Sequence, residues 1–326
     1  MRTADDGRSL VTLEDIRAAA RRLAGVTRVT PLVDVSAAAG RPLFLKCEHL
    51  QRGGAFKFRG AYNMVAQLTS DERRRGVITF SSGNHGQALA LAARQLGAPA
   101  VVVMPTTAPQ IKVDGTRAAG AEVIFAGTTS VHRRDRAEAE AAQRGLTMVP
   151  PFDHPWIIAG QGTAGLEILA RQPDVTAVLV PIGGGGLAAG VAAALKLSKP
   201  EIRVIGVEPA GAAAMKASID AGRPVTLDRT ESIADGLMPV RPGDLTFAHA
   251  QRFVDEIVTV EDRQIVEAVL WLVDRANVMA EPSGAATVAA ALAGVAGDGP
   301  IVAIVSGGNM STGTLEELRR QLSAES

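Results

Sequence analysis

Apolar positions along the chain keep two periods. Ile16, Ala19, Ala20 and Leu23 fall on one helical face, with Thr12 ahead of them and Asp15 placed to close a capping box, so the chain opens with a helix. Past Gly76 the rhythm shortens: apolar, β-rich runs at 77–80, 100–104, 122–125 and 147–149 predict strands. Alanine-rich stretches at 85–96, 109–119 and 131–144 carry helical patterning between them. Upstream, a short strand at 43–47 leads into a glycine-flanked loop around Lys57, and helix patterning returns over 59–68.

A second alternating series follows the Pro150-Pro151 pair. It predicts helices at 162–170, 187–197 and 261–276, strands at 177–181, 203–207 and 301–305, and a last helix from about residue 314. Residues 175–195 carry no charge over nearly the length of a membrane span, but Pro181 and the run Gly183, Gly184, Gly185, Gly186 break the stretch into strand, turn and helix. Strands alternating with helices predict an α/β fold with mostly parallel sheets flanked by helices. Two such units would share a cleft, with ligands at the carboxyl ends of the strands.

Composition narrows the possible partners. At 326 residues the chain has room for about two domains, and 47% hydrophobic with 21% charged residues is a globular balance. Lys plus Arg equal Asp plus Glu at 34 each, so no broad field draws in nucleic acid or an anionic membrane. The single Cys47 allows no intrachain disulfide, and the first ten residues lack the apolar core of a signal peptide; both predict a reducing, cytoplasmic setting.

Four loops at predicted strand ends carry chemistry. Lys57 lies between Phe56 and Phe58 with glycines on both sides, and an apolar setting lowers a lysine toward the free amine that attacks carbonyls. SSGNHGQ gathers Ser81, Ser82, Asn84 and His85 directly before a helix, more hydrogen-bonding groups than a helix cap needs. PIGGGGL places Gly183 to Gly186 and Leu187 between a strand and a helix, a backbone cradle for phosphate. Gly183, Gly185 and Ala188 also fit a dinucleotide fingerprint, with Glu208 near the position of a ribose ligand, so a nicotinamide enzyme stays open on this motif alone. The fourth loop follows the strand at 301–305 with Ser306 and two glycines.

Together these stretches resemble the fold-type II pyridoxal 5'-phosphate (PLP) enzymes of the threonine/serine dehydratase and serine racemase family. KCEHLQRGGAFKFRGA resembles the cofactor-lysine motif, SSGNHGQ the asparagine loop, GGGGL the phosphate loop and SGGN the segment facing the pyridine nitrogen; IAGQGT, IADGL and AEPSGA are further family-like stretches. The resemblance implies a tryptophan synthase β-like fold, with a large PLP-binding domain from residues 1–52 and 149–326 and a small domain, 53–148, carrying the asparagine loop. It implies Lys57 as the Schiff-base residue, Phe56 beside the ring, and Asn84 at the cofactor 3'-hydroxyl. Gly183, Gly184, Gly185, Gly186 and Leu187 would hold the phosphate and Ser306 the pyridine nitrogen, with Gly236 and Glu281 also at the cofactor. Ser81, Ser82, Asn84 and His85 would surround the substrate.

The implied reaction is β-elimination from L-threonine or L-serine to a 2-oxo acid and ammonia, with Lys57 removing the Cα proton. Ser82 keeps an alternative open, because the family's racemases carry a serine there as acid/base on the face opposite the lysine. Another 3-hydroxy amino acid, such as 3-hydroxyaspartate, is a third substrate option. The family's divalent-metal site pairs a glutamate like Glu208 with an aspartate where this chain has Ala214, so no metal is expected. A homodimer or homotetramer is the implied assembly. The cluster Arg133, Arg134, Asp135 and Arg136 reads as a solvated helix face, Cys47 as core, and Trp271 as a packing residue.

Overall fold

The computed structural model describes residues 9–324 apart from 82, 109 and 129. Among the described residues ten strands form two sheets: β1 (Leu32–Asp34), β2 (Leu43–Lys46), β3 (Val77–Phe80), β4 (Ala100–Met104), β5 (Glu122–Phe125), β6 (Thr147–Met148), β7 (Ala177–Pro181), β8 (Arg203–Pro209), β9 (Glu256–Val260) and β10 (Ile301–Ile304). The larger sheet runs β1-β2-β10-β7-β8-β9 and the smaller β5-β4-β3-β6. Every pairing is parallel except β1 with β2. All side chains of β4, β7 and β10 are buried, which is why these strands read as continuous apolar runs rather than as alternation.

The first helix, Leu13–Leu23, is closed by the expected capping box between Thr12 and Asp15 and buries Ile16, Ala19 and Leu23. The uncharged stretch resolves into β7, a glycine turn and the helix Gly186–Ser198; among the described residues no helix is long and apolar enough to cross a membrane. Helix Pro155–Arg171 packs on both Gly186–Ser198 and Lys57–Val65, and so ties the lysine loop to the glycine loop.

Several elements differ from the expectation. The helix after the lysine loop starts at Lys57 itself, and Pro155–Arg171 begins well before residue 162. Helices Ala214–Ala221, Asp244–Phe253 and Pro282–Leu292 and strands β1 and β9 carried no recognised pattern. Strand β2 ends at Lys46, one residue short of the expected 47, and Glu48–Leu50 form a 3-10 turn. Cys47 is buried with its thiol pushed up to about 12 by that burial, the state of an inert core residue. Arg134 and Arg136 pair with Glu138 and Glu140 along an exposed helix face.

Candidate active site

The end of β10 and the lysine loop are stitched together backbone to backbone. Phe56 N–H donates to the Ser306 carbonyl at 3.1 Å, Gly308 N–H donates to the Gly54 carbonyl at 2.9 Å, and Ala55 and Gly307 form an antiparallel bridge. Lys57 therefore emerges beside Ser306. Its amine donates to the Pro151 carbonyl at 2.8 Å and lies 5.0 Å from the centre of the Phe56 ring. Burial holds the amine down at about 8, which makes a minor neutral fraction available near physiological pH where an exposed lysine has almost none.

Behind Lys57, Arg59 is a fully buried cation. Its guanidinium donates to both oxygens of Glu48 at 2.8 Å and to Glu167 at 2.6 and 2.8 Å. Burial alone would raise the Glu48 carboxyl, yet the Arg59 and Lys46 cations outweigh it and hold it below the usual carboxylate range. The network joins the lysine helix to Pro155–Arg171, because Glu167 lies on the latter.

The asparagine loop follows β3. Gly83 occupies the N-cap of helix Asn84–Gln95 with no side-chain cap bond, so Asn84 is not spent on capping. Its amide donates to Glu281 Oε1 at 2.6 Å, and its carbonyl accepts from Asn309 Nδ2 at 2.9 Å. Burial and the nearby Asp235 push the Glu281 carboxyl up to about 7, against the opposing pull of Asn84. Ser81 Oγ accepts from Gly83 N–H at 3.3 Å. Ser82 lies outside the described residues. His85 is buried; its Nε2 sits 3.1 Å from the Val149 carbonyl, and its Nδ1 has no protein partner among the described residues. A carbonyl only accepts, so Nε2 carries the proton. Burial, with Lys57 nearby, holds the ring down at about 3, which leaves it neutral with Nδ1 an acceptor.

The glycine loop ends β7. Gly185 takes φ +93° as the N-cap of Gly186–Ser198, a conformation that disfavours a side chain. A Cβ on Gly184 would collide with the Phe152 ring, and one on Gly183 would come within 3.0 Å of the Gly236 carbonyl. Gly236 N–H in turn donates to Ser283 Oγ at 2.9 Å. Leu187 points its side chain into the core, leaving only its backbone to the loop. Glu208, the acid of the dinucleotide reading, is wholly buried, and its two oxygens accept from Met215 and Lys216 N–H at 2.8 Å each. It caps helix Ala214–Ala221, which leaves no free oxygen turned toward a ribose.

The chain matches the family of pyridoxal-phosphate dependent enzymes over residues 20–307. It belongs to that family. It is 44% identical over 313 residues to an L-threonine ammonia-lyase of Thermotoga maritima, a match covering 95% of this chain and 78% of that one. It is 41% identical over 315 residues to a serine racemase of Oryza sativa subsp. indica, covering 94% and 93%. A structure of maize serine racemase superposes with a TM-score of 0.91 at 37% identity, over 97% of this chain and 99% of that chain. The fold is accordingly that of PLP fold type II.

The donor set suits PLP. A depressed lysine amine fits an aldehyde, a side-chain-free helix start fits a phosphate, and a neutral hydroxyl at Ser306 fits a pyridine nitrogen. Ser306 Oγ donates to the Ser283 carbonyl at 3.3 Å, a long bond that leaves the hydroxyl able to turn. Among the described residues no cluster of His, Cys, Asp or Glu is arranged to hold a metal ion.

Sequence reasoning missed four residues that touch these loops: Pro151, Phe152, Thr246 and Asn309. Asn309 lies inside the SGGN stretch and was readable there. Thr246 donates to the Gly184 carbonyl at 2.7 Å from a distant helix, and no local pattern signals such a contact.

Proposed function

We propose that this chain is a PLP-dependent ammonia-lyase converting L-threonine or L-serine to the corresponding 2-oxo acid and ammonia. The observation that carries the reading is the Lys57 amine, held at about 8 beside Ser306 and the asparagine loop. Likeness to the Thermotoga ammonia-lyase over nearly the whole chain supports the reaction class.

When bound, PLP supplies the electron sink that makes an amino acid Cα–H bond acidic. Lys57 is the base for that proton, and the Pro151 carbonyl orients the amine. The N–H groups of Gly183, Gly184, Gly185, Gly186 and Leu187 would hold the phosphate at the start of helix Gly186–Ser198, where the helix dipole adds to their pull. Asn84, held by Glu281 and Asn309, presents its amide to the cofactor 3'-hydroxyl. Ser306 would offer the ring nitrogen a neutral hydroxyl, which cannot hold a positive charge there as a carboxylate would. Ser81 and the backbone N–H groups at the start of helix Asn84–Gln95 bind the substrate carboxylate. A neutral His85 ring brings no positive charge to a carboxylate, so His85 would contribute through its main chain.

Ser82 and the likeness to the rice racemase support a second reading, inversion of serine at Cα. The two sheets support the domain division: the smaller sheet lies entirely within 53–148, and the larger is built from segments of 1–52 and 149–326. The cytoplasmic setting rests on the single cysteine, and the homodimeric or homotetrameric state on the family likeness.

The test is to supply the PLP-loaded protein with L-threonine and with L-serine and to follow 2-oxo acid and D-amino acid in parallel. Oxo acid that disappears in Lys57→Ala supports the lyase. D-serine without oxo acid would transfer the assignment to the racemase, and neither product points to another 3-hydroxy amino acid.

A further inference from the structure

Pro151, Phe152 and Asp153 are consecutive and touch both ends of the site. Pro151 accepts from the Lys57 amine, as described. Phe152 lies over the glycine loop: its ring occupies the space a Gly184 side chain would need, and its Cβ is 2.9 Å from the Cβ position of Gly186. Asp153 reaches the start of helix Asp244–Phe253, whose own N-cap, Gly243, makes no side-chain bond. The Asp153 carboxylate accepts from Asp244 N–H at 3.1 Å, Leu245 N–H at 3.0 Å and Thr246 N–H at 3.1 Å. The cap thus comes from 91 residues away.

That cap leads back to the phosphate loop. Thr246 is fully buried, and its hydroxyl donates to the Gly184 carbonyl at 2.7 Å; Gly243 N–H adds a longer bond of 3.4 Å to the same oxygen. The peptide joining Gly184 to Gly185 is trans, so its carbonyl and N–H point in opposite directions. Fixing the Gly184 carbonyl on Thr246 therefore turns the Gly185 N–H away from that helix. An unpinned glycine peptide would be free to flip, and the N–H would be lost to the anion.

We propose that Asp153 is a positioning residue for the cofactor phosphate, acting through Thr246 on the orientation of the Gly184–Gly185 peptide. The inference rests on reading the glycine loop as the phosphate cradle. A merely structural cap would stabilise the fold without distinguishing ligands that have a phosphate from those that do not.

The test compares PLP with pyridoxal, its phosphate-free counterpart, titrated onto the full chain freed of cofactor and read by visible absorbance. Wild type should prefer PLP strongly. Asp153→Ala and Thr246→Val should each shrink that preference about tenfold or more, while pyridoxal affinity stays within about twofold of wild type. Asp153→Asn keeps one oxygen for Leu245 and Thr246 and should fall between. The double variant should lose little beyond Asp153→Ala alone, as expected for one pathway. An unchanged preference in the variants, or equal weakening of both ligands, overturns the proposal. Should Asp153→Ala not fold, Thr246→Val decides. A wild type that shows no preference for PLP would instead remove the phosphate assignment itself, and the proposal with it.

Discussion

The Lys57 amine and the Pro151 carbonyl lie 2.8 Å apart although 94 residues separate them in the chain. A carbonyl orients an amine without supplying the negative charge that would keep it protonated, so burial alone decides the proton, and burial lowers Lys57 from 10.5 to about 8. In the cofactor-free protein, acetylation of Lys57 by a small anhydride should therefore rise with pH through about 8. Mass spectrometry of the peptide across pH 6–11 reads this directly; a midpoint near that of an exposed lysine would remove the argument. The linkage has a definite sign. Between about pH 8 and 10.5 the unfolded chain binds the extra proton, so this lysine's penalty on stability is full below 8 and disappears toward 10.5. Lys57→Met should accordingly stabilise the cofactor-free protein at pH 7 by up to about 3 kcal/mol.

Glu281 titrates in the opposite sense. Its carboxyl is raised to about 7, by burial first and Asp235 second, so the native protein keeps a proton that the unfolded chain releases near pH 4.5. Stability from that proton is full below about 4.5 and is lost as pH rises to 7. Glu281→Gln keeps the acceptor for Asn84 and needs no proton. Urea denaturation of the two cofactor-free proteins should give curves that diverge from pH 5 to 7, with the variant ahead by about 2–3 kcal/mol at pH 8. Parallel curves would show that Glu281 is ionised throughout.

The Arg59 network makes a prediction about which partner can be removed. Arg59→Met leaves the carboxylates of Glu48 and Glu167 sharing only Lys46 in the interior and should destabilise the protein by about 3–5 kcal/mol. Adding Glu48→Gln removes the carboxylate that Lys46 cannot fully balance and should recover part of the loss, a coupling visible in a double-mutant cycle by chemical denaturation. Additive effects would mean that the ion pairs do not form.

The parts of this molecule that were legible are those whose cause is local. Strands β3, β4 and β7 follow their apolar runs to the residue because buried parallel strands need nothing else; β5 also keeps its expected bounds, although it lies at the sheet edge with Glu122 and Phe125 exposed. The lysine, asparagine, glycine and serine loops were legible as candidates because each gathers its distinctive residues in a short consecutive stretch. The first turns of Pro155–Arg171 were not, since Gly160, just ahead of the expected start at Gly162, argues against extending the helix upstream. The structure shows what those glycines do: a Cβ on Gly160 would come within 2.7 Å of Gly60 and one on Gly162 within 2.8 Å of the Gly190 carbonyl. They exist for close helix contacts that only the tertiary fold creates. Helix Pro282–Leu292, alanine-rich and buried on every side, has no polar face to give a period. Asp153 was out of reach for a similar reason, because it caps a helix that begins far along the chain.

Two glycines separate close packing from helix propensity. Gly307 follows Ser306, and a Cβ there would collide with Glu281 Oε1 and come within 3.1 Å of Asn84 Nδ2. Gly307→Ala must displace the pair that holds the asparagine loop, so kcat/KM should fall by about 100-fold, the cost of a misplacement near 1 Å, with a stability loss of about 1–3 kcal/mol. Gly115, on the partly exposed helix Gln110–Ala118, meets only Gln87 at 3.8 Å. Gly115→Ala should instead stabilise by up to about 1 kcal/mol and leave activity unchanged, since alanine is the better helix former. Thermal denaturation and steady-state kinetics of the two variants side by side test whether the site is limited by the room at Gly307. Equal activity in both would mean that Glu281 and Asn84 yield freely, and that their hydrogen bond does not fix the loop.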